Sequence, residues 1–173
     1  MIATQITREL FGYSFATWRF HLRGETIRSA ADVGWIRDLT VRSLMRSDLT
    51  TVDASMPIEE FREKFPLGSK TRVVAIDATG RYAGMALVAE AHAPDLEAVN
   101  GVADILHFQD VVLHPVMNIQ EAIAVFDTAE AETLAVVEAD GEHKPIGILS
   151  EAHAVRRYAE ESEQRRREVI GDV

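Results

Sequence analysis

Thr71-Arg-Val-Val-Ala-Ile-Asp-Ala-Thr-Gly-Arg-Tyr-Ala-Gly-Met-Ala-Leu-Val-Ala-Glu90 decides the fold. It predicts two strands joined by a tight turn at Asp77–Gly80, with Gly84 inside the second strand. Val73–Ile76 and Met85–Val88 are unbroken apolar runs, which suit strands covered on both faces. A second copy follows: Leu134–Glu138, a turn at Asp140-Gly141, then Pro145–Ser150. Ahead of the two hairpins, Ile58, Phe61 and Phe65, and then Ile119, Ala122 and Phe126, fall at i, i+3 and i+7 of short helices. Ile58/Ile119, Phe61/Ala122, Phe65/Phe126 and Val73/Leu134 all stand 61 residues apart, and Gly84/Gly147 stand 63 apart after a longer turn. The chain is internally duplicated.

Composition limits the function classes. The 173 residues are 47% hydrophobic and 27% charged, as in an ordinary folded soluble chain. Cysteine is absent, which removes disulfides, thiolate catalysis and zinc-thiolate sites and fits a reducing compartment. A formal charge of −10 argues against nucleic acid as a partner. The six histidines have no metal-ligand spacing, so no metal is expected. No phosphate-binding loop, nucleophile elbow or zinc-protease helix is present, and no acid, base and nucleophile set suggests an enzyme.

The charge is unevenly placed. Residues 1–46 hold seven arginines against Glu9, Glu25, Asp32 and Asp38, a balance of +3 that leaves −13 for the rest. Half of the twelve aromatics lie within residues 1–35. Leu10–Trp18 is uncharged but too short to span a bilayer, and Arg19, His21, Arg23 and Arg28 follow it. Aromatic residues ahead of arginines suit the cytoplasmic end of a membrane helix, and also an amphipathic helix packed on the repeats or on a second subunit.

The order Leu10-Phe-Gly-Tyr-Ser-Phe-Ala-Thr-Trp-Arg-Phe-His-Leu-Arg-Gly-Glu25, with Ile27–Ala30 and Asp32–Trp35, resembles the last membrane helix and linker of bacterial ClC-type chloride channels and transporters. The resemblance implies that Tyr13 contributes its hydroxyl to a chloride site in an intact transporter, whose other helices this chain lacks. From Val41 onward the duplicated part resembles a tandem pair of CBS domains, a Bateman module, the usual cytoplasmic extension in that family. The implied fold is α/β (α+β): two β-α-β-β-α repeats packed as a pseudo-dimer behind an N-terminal helical and linker segment. Expected boundaries are 1–40 for that segment, 41–100 and 101–160 for the CBS domains, and 161–173 for a charged tail.

The resemblance also implies a ligand. Its last strand tends to read Gly, two apolar residues, a hydroxyl for phosphate, two residues, then an acid for ribose. Here that pattern is split, with Gly84, Leu87 and Glu90 in one copy and Gly147, Ser150 and His153 in the other. Glu90, Ser150, His153 and Arg156 are therefore the candidate nucleotide contacts, with ATP, ADP, AMP or adenosine as the regulatory ligand and no required cofactor. The partners implied are a second copy, giving a homodimer, and the membrane domain of the parent transporter at the cytoplasmic face of the inner membrane. The alternative is a free-standing soluble CBS-pair sensor that docks on another protein. Asn118 with Glu121 forms a capping box that predicts a helix start on physical grounds alone.

Overall fold

The computed structural model describes residues 30–94, 96 and 99–171. The chain divides into two units, Met1–Trp35 and Ile36–Val173. Residues 1–29, including Tyr13 and most of the ClC-like segment, lie outside the described residues. No helix among the described residues is long and apolar enough to cross a membrane. Helix α1 is Ala30–Asp38, and the elements after it belong to the second unit.

The first repeat runs α2 (Val41–Leu44), β1 (Thr51–Asp53), α3 (Ile58–Lys64), β2 (Arg72–Ile76), β3 (Tyr82–Leu87) and α4 (Val88–Ala91). The second opens with a 3-10 turn at Val102–Ile105 and β4 (Leu106–His107). It continues through α5 (Ile119–Ala129), β5 (Thr133–Val137), β6 (Pro145–Ser150) and α6 (Glu151–Gly171). Each apolar run is buried as its composition requires: Val73, Val74 and Ala75 in β2, and all of β5. The helix positions follow suit, with Ile58, Phe61 and Phe65 and then Ile119, Ala122 and Phe126 in the core. The capping box is present, since Asn118 Oδ1 accepts from the N–H groups of Gln120 and Glu121 while Glu121 accepts from Asn118 N–H.

In one sheet the order is β1-β2-β3-β4, with β1 and β2 parallel and the other pairs antiparallel. The second sheet pairs β5 with β6, and single bridges extend it to Leu113 on one side and Arg46 on the other. Those bridges show a reciprocal exchange. Strand β4, at the opening of the second repeat, pairs with β3, while Arg46, ahead of the first hairpin, pairs with Ile148 of β6. Thr40 bridges Asn118 and Gly101 bridges Pro57. The 61-residue offset thus relates Arg46 to His107, Thr40 to Gly101 and Pro57 to Asn118. The hydrogen-bonded sheets thus interleave the two sequence copies.

Gly84 and Gly147 mark where the exchanged segments cross. A Cβ on Gly84 would lie 2.9 Å from Leu106 Cβ, and one on Gly147 would lie 2.8 Å from the Arg46 carbonyl oxygen. Val74 and Met85 of the first sheet pack on Ala135 and Val137 of the second, forming the core between the repeats.

Helix α4 closes after one turn, at Ala91. The charged tail is continuous with α6 as far as Gly171, carrying Glu161–Arg165 and Glu163–Arg167 pairs at i,i+4.

Candidate functional site

The exchange leaves an open cleft of about 310 Å³ between the repeats. Its floor is apolar, with Leu44, Leu49, Val74, Met85, Ile148 and Leu149. Its rim is polar and comes from both copies. Arg46 and Asp48 enter from the segment ahead of β1, Ser69, Lys70, Thr71 and Arg72 from the loop into β2, and Thr133, Ser150 and His153 from the second repeat. An apolar floor with a few convergent polar groups suits a flat organic ring carrying a charged substituent.

The charges on the rim are partly committed. Arg46 grips Asp48 through two bonds, Nε to Oδ1 at 3.1 Å and Nη2 to Oδ2 at 2.6 Å. That grip holds the Asp48 carboxyl below the usual carboxylate range, and the nearby Lys70 charge adds to it. Arg72 donates to Glu132. Lys70 is exposed and forms no ion pair among the described residues, so its ammonium is the cation available to an incoming anion.

Ser150 immediately precedes α6, and its Oγ accepts from the His153 N–H at 3.3 Å in the manner of an N-cap. The start of this 21-residue helix therefore faces the cleft, where its partial positive charge favours an anion. His153 Nδ1 lies 2.9 Å from Arg156 Nη2. A guanidinium only donates, so Nδ1 must accept and Nε2 carries the ring proton. His153 is thus a hydrogen-bond donor at this place in the second copy.

The candidate contacts read from the sequence separate into two groups. Ser150 and His153 line the cleft. Arg156 is not among the lining residues and reaches it only through His153. Glu90 sits on α4 and pairs with His107 Nε2 of β4, the position equivalent to Arg46. The split signature is therefore not gathered into this cleft. Lys70 and Arg46 were missed from sequence. The available signal was Gly68-Ser69-Lys70-Thr71, a glycine-led polar turn with one cation directly ahead of a buried strand.

Away from the cleft, Tyr82 O–H donates to the Phe108 carbonyl at 2.8 Å, and burial pushes its phenol well above the usual range. No group of three or more His, Asp or Glu residues placed to hold a metal occurs among the described residues.

Residues 102–160 match the CBS-domain family model. The fold is that of a CBS domain pair. A CBS pair/ACT domain protein from Thermotoga maritima is 20% identical with a TM-score of 0.56, over 70% of this chain and 97% of that one. CBSX2 of Arabidopsis thaliana, solved in complex with AMP, is 23% identical with a TM-score of 0.57, over 71% and 98%. The CBS domain of a bacterial CNNM/CorC family Mg2+ transporter, solved with ATP, is 13% identical with a TM-score of 0.58, over 71% and 89%. Identities this low establish the shared architecture. No curated protein is similar enough in sequence to stand as a relative.

Proposed function

We propose that this CBS pair is a regulatory module that senses an adenine nucleotide in the cleft between its repeats. The observation that carries the reading is the cleft itself: an apolar floor for the base, with Lys70, the Ser150 hydroxyl and the α6 N-terminus grouped on its rim for phosphate. The AMP complex of CBSX2 and the ATP complex of the CNNM/CorC CBS domain support nucleotide as the ligand class. Binding at residues from both copies would clamp the two repeats in one arrangement, and the ligand biases the module by the difference in its affinity for the two arrangements.

The module serves, in this reading, as the cytoplasmic regulatory domain of a ClC-type chloride channel or chloride/proton antiporter at the inner membrane, assembled as a homodimer. Support for that parent comes from the order of aromatic and basic residues between Leu10 and Trp35, with Tyr13 as the chloride contact in the intact transporter. CBS domains of the CNNM/CorC and MgtE proteins provide other transporter settings for this fold.

Thermal melting of the chain with AMP, ADP or ATP at millimolar concentration tests the sensor. A ligand present at 100 times its dissociation constant adds about 2.7 kcal/mol to the folded state. The expected result is a clear upward shift that Ser150→Ala diminishes. No shift with any of the three would overturn the nucleotide reading. An open reading frame that places no chloride-transport domain ahead of residues 1–35 would overturn the parent.

A further inference from the structure

We infer that the module is one-sided: each chain takes one phosphate-bearing nucleotide, at the Lys70–Ser150 cleft, and its duplicate position is closed to anions. This rests on the nucleotide reading above and adds a stoichiometry that the duplication alone would not give, since two related copies make two related clefts.

The 61- and 63-residue offsets, fixed by the paired bridges and crossing glycines, assign every rim residue a counterpart. Lys70 corresponds to Ala131, removing the free cation. Ser69 and Thr71 correspond to Glu130 and Glu132, placing two carboxylates where the occupied cleft has hydroxyls. Ser150 corresponds to Leu87, and His153 to Glu90. Glu90 is already held by His107, itself the counterpart of Arg46. Asp48 corresponds to Gln109 and Thr133 to Arg72, whose guanidinium is held by the exposed Glu132, while Glu130 is exposed as well.

Phosphate brought to the second position would meet like charges without a compensating ammonium. At the first it meets Lys70, a serine hydroxyl and a helix N-terminus. The same duplication has produced one anion receptor and one site whose polar groups satisfy each other.

Isothermal titration of the full chain with ATP tests this. The expected stoichiometry is one per chain. Lys70→Ala should weaken binding about tenfold or more, as removal of a charge-assisted contact does. Glu90→Ala, and Glu130→Gln at an exposed position, should leave affinity within about twofold, because neither residue touches the occupied cleft. Any stoichiometry other than about one, or equal losses in the Lys70 and Glu90 variants, overturns one-sidedness while leaving nucleotide sensing intact. Absence of binding heat with AMP, ADP and ATP overturns the nucleotide reading and this inference with it.

Discussion

Gly147→Ala is the substitution that most directly tests the strand exchange. The added Cβ would stand 2.8 Å from the Arg46 carbonyl oxygen and 2.8 Å from Met45 Sδ. The sulfur can swing aside, but the carbonyl cannot move without disturbing the bridge that it makes. Arg46 N–H donates to Ile148 O and Ile148 N–H donates to Arg46 O, both at 2.9 Å. Losing that pair costs about 2 kcal/mol at roughly 1 kcal/mol per bond. Residual overpacking costs about 2 kcal/mol more. Replacing glycine lowers unfolded-chain entropy and returns about 0.7 kcal/mol. The net loss is roughly 3 kcal/mol, or about 6–12 °C in Tm for a chain of this size. Urea unfolding followed by circular dichroism measures it, with an unchanged m-value expected because the native surface is preserved. Gly34→Ala in α1 is the control: nothing lies within 4 Å of its added Cβ, so it should be neutral or about 1 kcal/mol stabilising. A Gly147→Ala loss below about 0.5 kcal/mol would mean that Arg46 does not cross onto β6 at this point.

Three further outcomes follow from the same structure. Phe61→Ala and Phe126→Ala each empty a site with 0% exposure and should each cost about 3–5 kcal/mol in urea unfolding, one in each repeat. Asn118→Ala removes an acceptor for two backbone N–H groups and should cost about 1 kcal/mol, read as a small fall in Tm with nucleotide absent. Hydrogen bonds from the Ser55 and Thr79 hydroxyls hold Asp53 and Asp77 below the usual carboxylate range. Their contribution is therefore complete above the unfolded pKa of about 4 and is lost as pH falls through the lower folded values. Acid unfolding should begin below about pH 4, and Asp53→Asn and Asp77→Asn should make that limb shallower.

The sequence disclosed the parts of the fold that arise from local pattern. Apolar runs located β2, β3, β5 and β6, the i, i+3, i+7 positions located α3 and α5, and the constant offset disclosed the duplication. The exchange was not legible, because Arg46 and His107 are polar residues in short segments whose partners lie about 100 residues away in one case and 20 in the other. Only Gly84 and Gly147, the residues beside their partners Met85 and Ile148, left a trace, and a glycine in a strand also suits a bulge or a bend. At the site, Ser150 and His153 were visible only through the resemblance to the last strand of CBS domains, which sets their spacing from Gly147. Lys70 was not, since a lysine in a polar turn looks like solvated surface until the fold brings Ser150 opposite. Glu90 carried the expected residue type at the expected spacing, yet the structure pairs it with His107.

Strand exchange and the inferred one-sided binding together constrain how a ligand signal could leave the module. Arg46 is joined by backbone hydrogen bonds to β6, and Ser150 ends that same strand and starts α6. Lys70 leads into β2, whose Val74 packs against Ala135 and Val137 of the other sheet. A phosphate bridging Lys70 and Ser150 therefore ties together two sheets that are already interleaved, so it adds little by way of holding the repeats in contact. Its leverage lies in orientation, because one sheet can tilt on the other across the apolar floor only if the rim above it opens. If the duplicate position takes no ligand, as inferred above, binding loads one side of the inter-sheet core alone, and the expected bias is a rotation of the sheets rather than a symmetric tightening.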